Sequence, residues 1–320
     1  MADFWYQDLG HGITCIDTGY GRPMLAACYM LEANDQLAFV DCGTSYTVER
    51  TLKVMEEKGY TAEQVRYVIP THVHLDHAGG AGAMIEAFPN AQLVIHPRGA
   101  RHMIDPSKLI AGVKAVYGEA GYQKHFGKLV PVPADRVVEA DDGFALDMNG
   151  RVLNFIDTPG HARHHFCVHD VLSNGIFTGD TFGLSYREFD TDKGPFIFAT
   201  TTPVQFDPQA WYQTLDCLMA LKPSNFYLTH FSSIPATADL EQRLRESIAM
   251  FVAIANTASA GAANEDGDNL REEIMQKMEE KLMNELQAHG GQLSDSRCRE
   301  LLKGDIDLNT QGLVFWLKNK

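Results

Sequence analysis

Thr71-His72-Val73-His74-Leu75-Asp76-His77-Ala78-Gly79-Gly80 places four metal-ligand side chains, His72, His74, Asp76 and His77, within six residues. The segment before it, Val65 to Ile69, is mostly apolar, so the cluster sits on a loop leaving a strand-like run. Grouped His and Asp side chains cost desolvation unless something satisfies them, and they are rarely used for packing. A divalent metal satisfies them, because imidazole and carboxylate suit zinc and other borderline metals. In an extended segment His72 and His74 project to the same side. The chain must then turn for Asp76 and His77 to converge on them, and Gly79 and Gly80 permit a helix to begin there with close backbone approach.

Four further motifs follow the same rule of a polar residue just past an apolar run. Asp41-Cys42-Gly43 ends the run Leu37 to Val40. Thr158-Pro159-Gly160-His161 follows Val152 to Ile156, and Gly179-Asp180 follows Ile176-Phe177. Leu228-Thr229-His230 closes the run that begins at Phe226. Strand ends are where α/β sheets present ligands. Singly, a Gly-Asp pair is a turn and a lone His a loop residue; the ordered set is more specific. Together the motifs resemble the metallo-β-lactamase-fold superfamily of metal-dependent hydrolases and span Asp41 to His230, most of the chain.

The resemblance implies an α/β (α+β) fold, a four-layer αββα sandwich with helices outside two packed sheets. It implies two divalent metal ions. His72, His74 and His161 would hold the first, Asp76, His77 and His230 the second, and Asp180 would bridge them. Asp76 would also orient the attacking hydroxide, which makes it the candidate catalytic residue. Asp41 either supports a ligand histidine from behind or shapes its turn. Zinc leads, with iron and manganese open to the same donors.

An aspartate bridge resembles glyoxalase II-type thioesterases, lactonases and phosphodiesterases, whereas β-lactamases carry Cys or Ser there. His74 stands where flavo-diiron relatives carry Glu. The implied activity is hydrolysis of an ester, thioester or lactone by a metal-bridging hydroxide. The alternatives are a phosphodiesterase, a mononuclear iron enzyme of the persulfide dioxygenase type, and a low-turnover ligand-binding member.

The chain has 320 residues, enough for one large α/β unit or two domains, and 45% of them are hydrophobic. Its 27 basic against 42 acidic residues give a net charge of −15, which disfavours nucleic acid and anionic membranes and leaves a small molecule as the expected partner. Six dispersed cysteines form no Cys-x-x-Cys pair, which fits a reducing cytoplasm. The start, Met1 to Phe4, lacks a basic region before an apolar core, so no signal peptide is expected.

Strands are expected at Ile13–Ile16, Leu25–Leu31, Leu37–Val40 and Gln92–Ile95, with a second set from Val137 to Phe177 and a strand at Phe226. Helices are expected from Thr44 to Lys58, capped by Thr44 or Ser45, after Gly80, across much of 98–127, and over Pro208–Leu221. Residues 1–233 are read as the catalytic domain and 234–320 as a helical extension that packs on it and serves a homodimer, or that walls the substrate pocket, as the resemblance to helical-tailed family members implies. In the extension, Ala238–Ala255, Leu270–Ala288 and Ser294–Lys303 read as helices, with a loop at Ala258–Asp268. Gly290-Gly291 ends the second helix, and Ile274, Met278, Leu282 and Leu286 form its apolar face. Thr181 to Pro208 lacks periodicity and carries Tyr186, Phe196 and Phe198 as candidate substrate-binding aromatics, or as packing for the tail. Met103, Leu109, Tyr117, Tyr122 and Phe126 are read as a second substrate wall or a dimer face.

Overall fold

Asn34 and Asp35 both take positive φ, +42° and +65°, the backbone that a tight hairpin requires. They join two runs of the first sheet in a computed structural model that describes residues 5–261 and 267–320. The first elements are β1 (Tyr6–Asp8), β2 (Ile13–Asp17), β3 (Ala27–Ala33), β4 (Gln36–Val40) and α1 (Thr47–Glu57). β5 (Val65–Ile69), α2 (Leu75–Ala78), α3 (Ala81–Ala87) and β6 (Gln92–Ile95) follow. Then come α4 (Pro97–Ile104), α5 (Ser107–Phe126) and β7 (Val137–Glu139). β8 (Ala145–Met148), β9 (Arg151–Asp157), β10 (Phe166–Asp170) and β11 (Gly175–Gly179) are next. The chain continues with α6 (Pro208–Ala220), β12 (Asn225–Leu228), β13 (Ser232–Pro235), α7 (Ala238–Gly261), α8 (Gly267–His289) and α9 (Asp295–Lys318).

Two compact units divide the chain. The first comprises residues up to Asp157, His164–Gly179 and Pro223–Pro235. It holds both sheets, a seven-stranded one in the order β1-β2-β3-β4-β5-β6-β7 and a six-stranded one in the order β13-β12-β11-β10-β9-β8. Strand parity explains the layering. Cys28, Met30, Leu37 and Phe39 face a core shared with α1, α3 and α4 through Val54, Met84 and Ala100. Their neighbours Ala27, Tyr29, Ala38 and Val40 face the second sheet, against Phe155, Phe166, Phe177 and Tyr227. Both faces are buried, so these strands read as continuous apolar runs without alternation. β4, β5 and β6 are mutually parallel, so Asp41 and the His72 loop leave the same sheet edge. β11 and β12 are parallel in the second sheet.

The second unit comprises Thr158–Arg163, Asp180–Lys222 and the chain from Ala236 onward. The α7, α8 and α9 helices pack on one another within it. The apolar stripe read from α8 is buried: Ile274, Met278, Leu282 and Leu286 are all at most 2% exposed. His289 ends that helix, and Gly290 follows at φ +90°.

Four expectations need correction. Val137–Glu139 pairs with β6 as the edge of the first sheet, so the second sheet starts only at Ala145. Neither Thr44 nor Ser45 caps α1; Tyr46 occupies that position without a side-chain capping bond, and Ser45 Oγ donates to the Phe126 carbonyl at 3.0 Å instead. The last helix, capped by Ser294, runs to Lys318 rather than Lys303, through Gly304 and Gly312. Gly312 tolerates this because its Cα lies against the Thr201 backbone, where a Cβ would sit 1.4 Å from the carbonyl oxygen. The loop expected at Ala258–Asp268 is helical as far as Gly261, and residues 262–266 lie outside the described residues, as does the Met1–Phe4 reading. β1 and β13, short strands at the ends of their sheets, were not expected from the apolar pattern. All six cysteines are free thiols. Among the described residues no helix is long and apolar enough to cross a membrane.

Candidate metal centre

Within the first unit the loop after β5 behaves as its residues dictate. His74 is extended (φ −62°, ψ 146°), and α2 starts at Leu75. His72 Nε2 and His74 Nδ1 are 2.8 Å apart, so the two rings do share a side. The turn of α2 then presents Asp76 and His77 to the same space, with the His72 and His77 ring centroids 4.1 Å apart. Gly80 permits the following approach: its N–H donates to the Gly43 carbonyl at 2.9 Å, and a Cβ there would lie 2.4 Å from the Cys42 oxygen. The loop of residues 72–77 is thus seated backbone to backbone on the Asp41-Cys42-Gly43 turn.

Asp76, His77 and His230 offer ligand atoms that all lie within 4.8 Å of one another. Their hydrogen bonds settle which ring atoms are available. His230 Nδ1 donates to the Leu25 carbonyl at 2.7 Å, which leaves Nε2 as the lone-pair nitrogen, 3.3 Å from Asp76 Oδ2. His77 Nδ1 lies 3.0 Å from Asp41 Oδ2, and its Nε2 faces Asp76 Oδ2 at 3.7 Å. Two imidazole lone pairs and a carboxylate therefore converge, which is the donor chemistry of a divalent metal site. Asp76 is the more accessible member, with 22% of its side chain exposed, while His77 is fully buried.

Asp41 is the hub behind this group. It is 1% exposed and takes φ +52°, a backbone conformation uncommon for a residue with a Cβ. Its Oδ1 accepts from Thr71 N at 2.7 Å and Thr71 Oγ1 at 2.9 Å. Its Oδ2 accepts from His77 and from Thr229 Oγ1. Thr71 and Thr229 were missed in the sequence. The signal was there: each is the Thr of a Thr-His pair at a strand end.

His165 is fully buried with its ring centroid 4.9 Å from that of His72. His164 stacks on His72 at 6.1 Å and 11° between planes.

The second unit carries the remaining candidates. His161 Nδ1 donates to the Thr200 carbonyl at 3.1 Å, and its Nε2 lies 3.4 Å from Asp180 Oδ2. The tautomer logic is the same, with the proton on Nδ1 and the lone pair on the side of the carboxylate. Thr214 Oγ1 donates to the Pro159 carbonyl at 2.7 Å and holds the turn before His161. Tyr186 and Phe198 are fully buried and Phe196 nearly so. The Tyr186 hydroxyl donates to the Asp305 carboxylate on α9 at 3.0 Å, and its ring packs on Phe189 and Phe198.

The sequence model of the metallo-beta-lactamase superfamily matches residues 21–230, and the chain belongs to that superfamily. It is 23% identical over 255 residues to the metallo-beta-lactamase fold-containing protein ST1585 of Sulfurisphaera tokodaii, a match covering 79% of this chain and 88% of that protein. It is 31% identical over 134 residues to the hydroxyacylglutathione hydrolase of a Polaromonas species, covering 42% of this chain and only 38% of that enzyme. Among solved structures, the metallo-beta-lactamase family protein TTHA1429 from Thermus thermophilus superposes with a TM-score of 0.66 at 18% identity, over 98% of this chain and 95% of that one. The fold is therefore the metallo-β-lactamase fold with C-terminal helices.

Proposed function

We propose that the protein is a hydrolase of esters, thioesters or lactones that works with two divalent ions, zinc first among them. The supporting observation is the Asp76-His77-His230 group, in which both rings turn Nε2 to one carboxylate and are anchored from behind. We assign the second ion to these three residues. We assign the first to His72, His74 and His161, with Asp180 between the two; the motif order of the superfamily supports this.

A metal held there would supply Lewis acidity and lower the pKa of a bound water towards neutrality. The chain's own contribution is positioning. Asp76 is exposed enough to accept a proton from the attacking water and to orient it toward the scissile carbonyl. Asp41 and the Leu25 carbonyl keep the two rings in one tautomer. Residues 1–233 would form the catalytic part and 234–320 a tail that packs on it, acting in the cytoplasm on a small molecule. The kinship with a hydroxyacylglutathione hydrolase adds weight to the thioester reading.

The test is elemental analysis of protein purified without chelators, in wild type and His77→Ala, followed by an ester, thioester, lactone and phosphodiester screen. About two zinc per chain, falling in the variant, with hydrolysis lost in Asp76→Ala, is the expected result. One iron per chain, unchanged by His77→Ala, would instead direct the work to oxygen-dependent sulfur chemistry.

A further inference from the structure

Leu75 lies between His74 and Asp76 in the chain yet is 4% exposed, and it is buried by α5 and its flanks rather than by a sheet. It clusters with buried Tyr122, Phe126 and Leu129, and Tyr20, Leu109, Ile110 and Val113 pack on the same cluster half-exposed. Val116 and Tyr117, on the same stripe of α5, are 58% and 37% exposed. A helix ordinarily buries such a stripe against a core. Here the stripe is fully covered only at its C-terminal end, at Tyr122 and Phe126, and is partly open from Ile110 to Tyr117.

That end is anchored. Tyr46 Oη donates to the Gln123 carbonyl at 2.8 Å, Ser45 Oγ to the Phe126 carbonyl, and Leu129 N to Tyr122 Oη at 3.3 Å. Gly118, at φ +71°, breaks the helix between the anchored turns and the open ones. Before that break Ile110 and Val113 pack on the Leu75 cluster, and the Tyr117 ring lies 5.5 Å from that of Phe126, which holds these turns beside the loop that carries His74 and Asp76.

We infer that the α5 face formed by Ile110, Val113 and Tyr117 is the wall against which the substrate's apolar part rests. The substrate then carries an apolar acyl or aryl group next to the scissile carbonyl. This rests on the hydrolase reading and narrows its substrate class. The occupant is a small molecule because the wall is continuous with Leu75, whose two chain neighbours are both candidate metal ligands. A methylene fully removed from water contributes about fourfold in affinity, and a half-open wall about twofold.

The experiment uses the metal-loaded full chain, with Ile110→Glu and Val113→Gln as variants whose folding is checked by circular dichroism. Two series are read, acyl thioesters from acetyl to octanoyl for kcat/KM, and acetate against decanoate for binding by calorimetry. The expected result is an octanoyl-to-acetyl ratio of about tenfold or more in wild type, reduced severalfold in the variants, with decanoate binding weakened in parallel. If every thioester is inert but decanoate binds in an Ile110-dependent way, the wall stands and the thioester reading fails. If decanoate binds no tighter than acetate, or the ratio is the same in wild type and variants, the wall is refuted whatever the activity. A dimer that dissociates in Val113→Gln without any chain-length effect would also overturn it and assign the face to a second copy.

Discussion

Asp41→Asn is the sharpest probe of how the buried hub controls the metal donors. Both oxygens of Asp41 are used as acceptors: Oδ1 by Thr71 N and Oγ1, and Oδ2 by His77 Nδ1 and Thr229 Oγ1. Asparagine preserves the shape but replaces one acceptor by an NH2 donor. The amide oxygen can keep the Thr71 bonds, and the amide nitrogen then faces His77 and Thr229. The Thr229 hydroxyl can rotate to accept. His77 can accept only by moving its proton from Nδ1 to Nε2, the nitrogen that points at Asp76. Losing such an outer partner costs about 10–100-fold in metal affinity, or about 1.4–2.7 kcal/mol. Apo stability should fall by about 1–3 kcal/mol for the buried donor left without an acceptor. Zinc affinity is measured by competition with a chromophoric chelator, and apo stability by urea unfolding. A zinc affinity within twofold of wild type, in a folded variant, would refute the assignment of His77 Nε2 as the donor held by Asp41.

Other consequences are independent of this one. Tyr186→Phe removes the hydroxyl that bonds Asp305 and should lower stability by about 1–2 kcal/mol, with zinc stoichiometry unchanged; thermal melts and elemental analysis check both. Gly312→Ala forces a methyl into the Thr201 carbonyl and should destabilise by about 1–3 kcal/mol or more through overpacking, read by urea denaturation. Burial pushes the Cys28 and Cys42 thiols well above their ordinary pKa, whereas Cys217 is exposed. A thiol reagent near neutral pH should therefore modify Cys217 promptly and Cys28 and Cys42 only after unfolding, as peptide mapping would show. Chelator treatment should lower the melting temperature, since a ligand of the folded state stabilises it by mass action; an unchanged melt in metal-depleted protein would count against a resident metal.

Motif order and apolar runs make much of this protein legible in its sequence. The strands ending at Val40 and Leu228 lie where the runs predicted, because a strand buried on both faces is apolar nearly throughout; β5, ending at Ile69, keeps Arg66 exposed and was legible from Val65, Val68 and Ile69 alone. The α8 stripe was equally legible, since a 3.6-residue period is local. Edge strands were not: β1 is half-exposed or exposed, so its pattern resembles a loop. The length of α9 was hidden by Gly304 and Gly312, which read as breaks until Thr201 is seen to occupy the space beside Gly312.

The sequence by itself determined the strand-end placement of each motif and the superfamily, because these depend on residue type and short spacing. Only the tertiary structure decided which nitrogen of His77 and His230 is left for a metal. That depends on Asp41 and the Leu25 carbonyl, 36 and 205 residues away in the chain. It also decided that Tyr186 bonds Asp305 on α9 and that α5 meets Leu75. Hydrogen bonds and apolar contacts between distant segments leave no periodic trace in a sequence, and they exist only once both partners are in place.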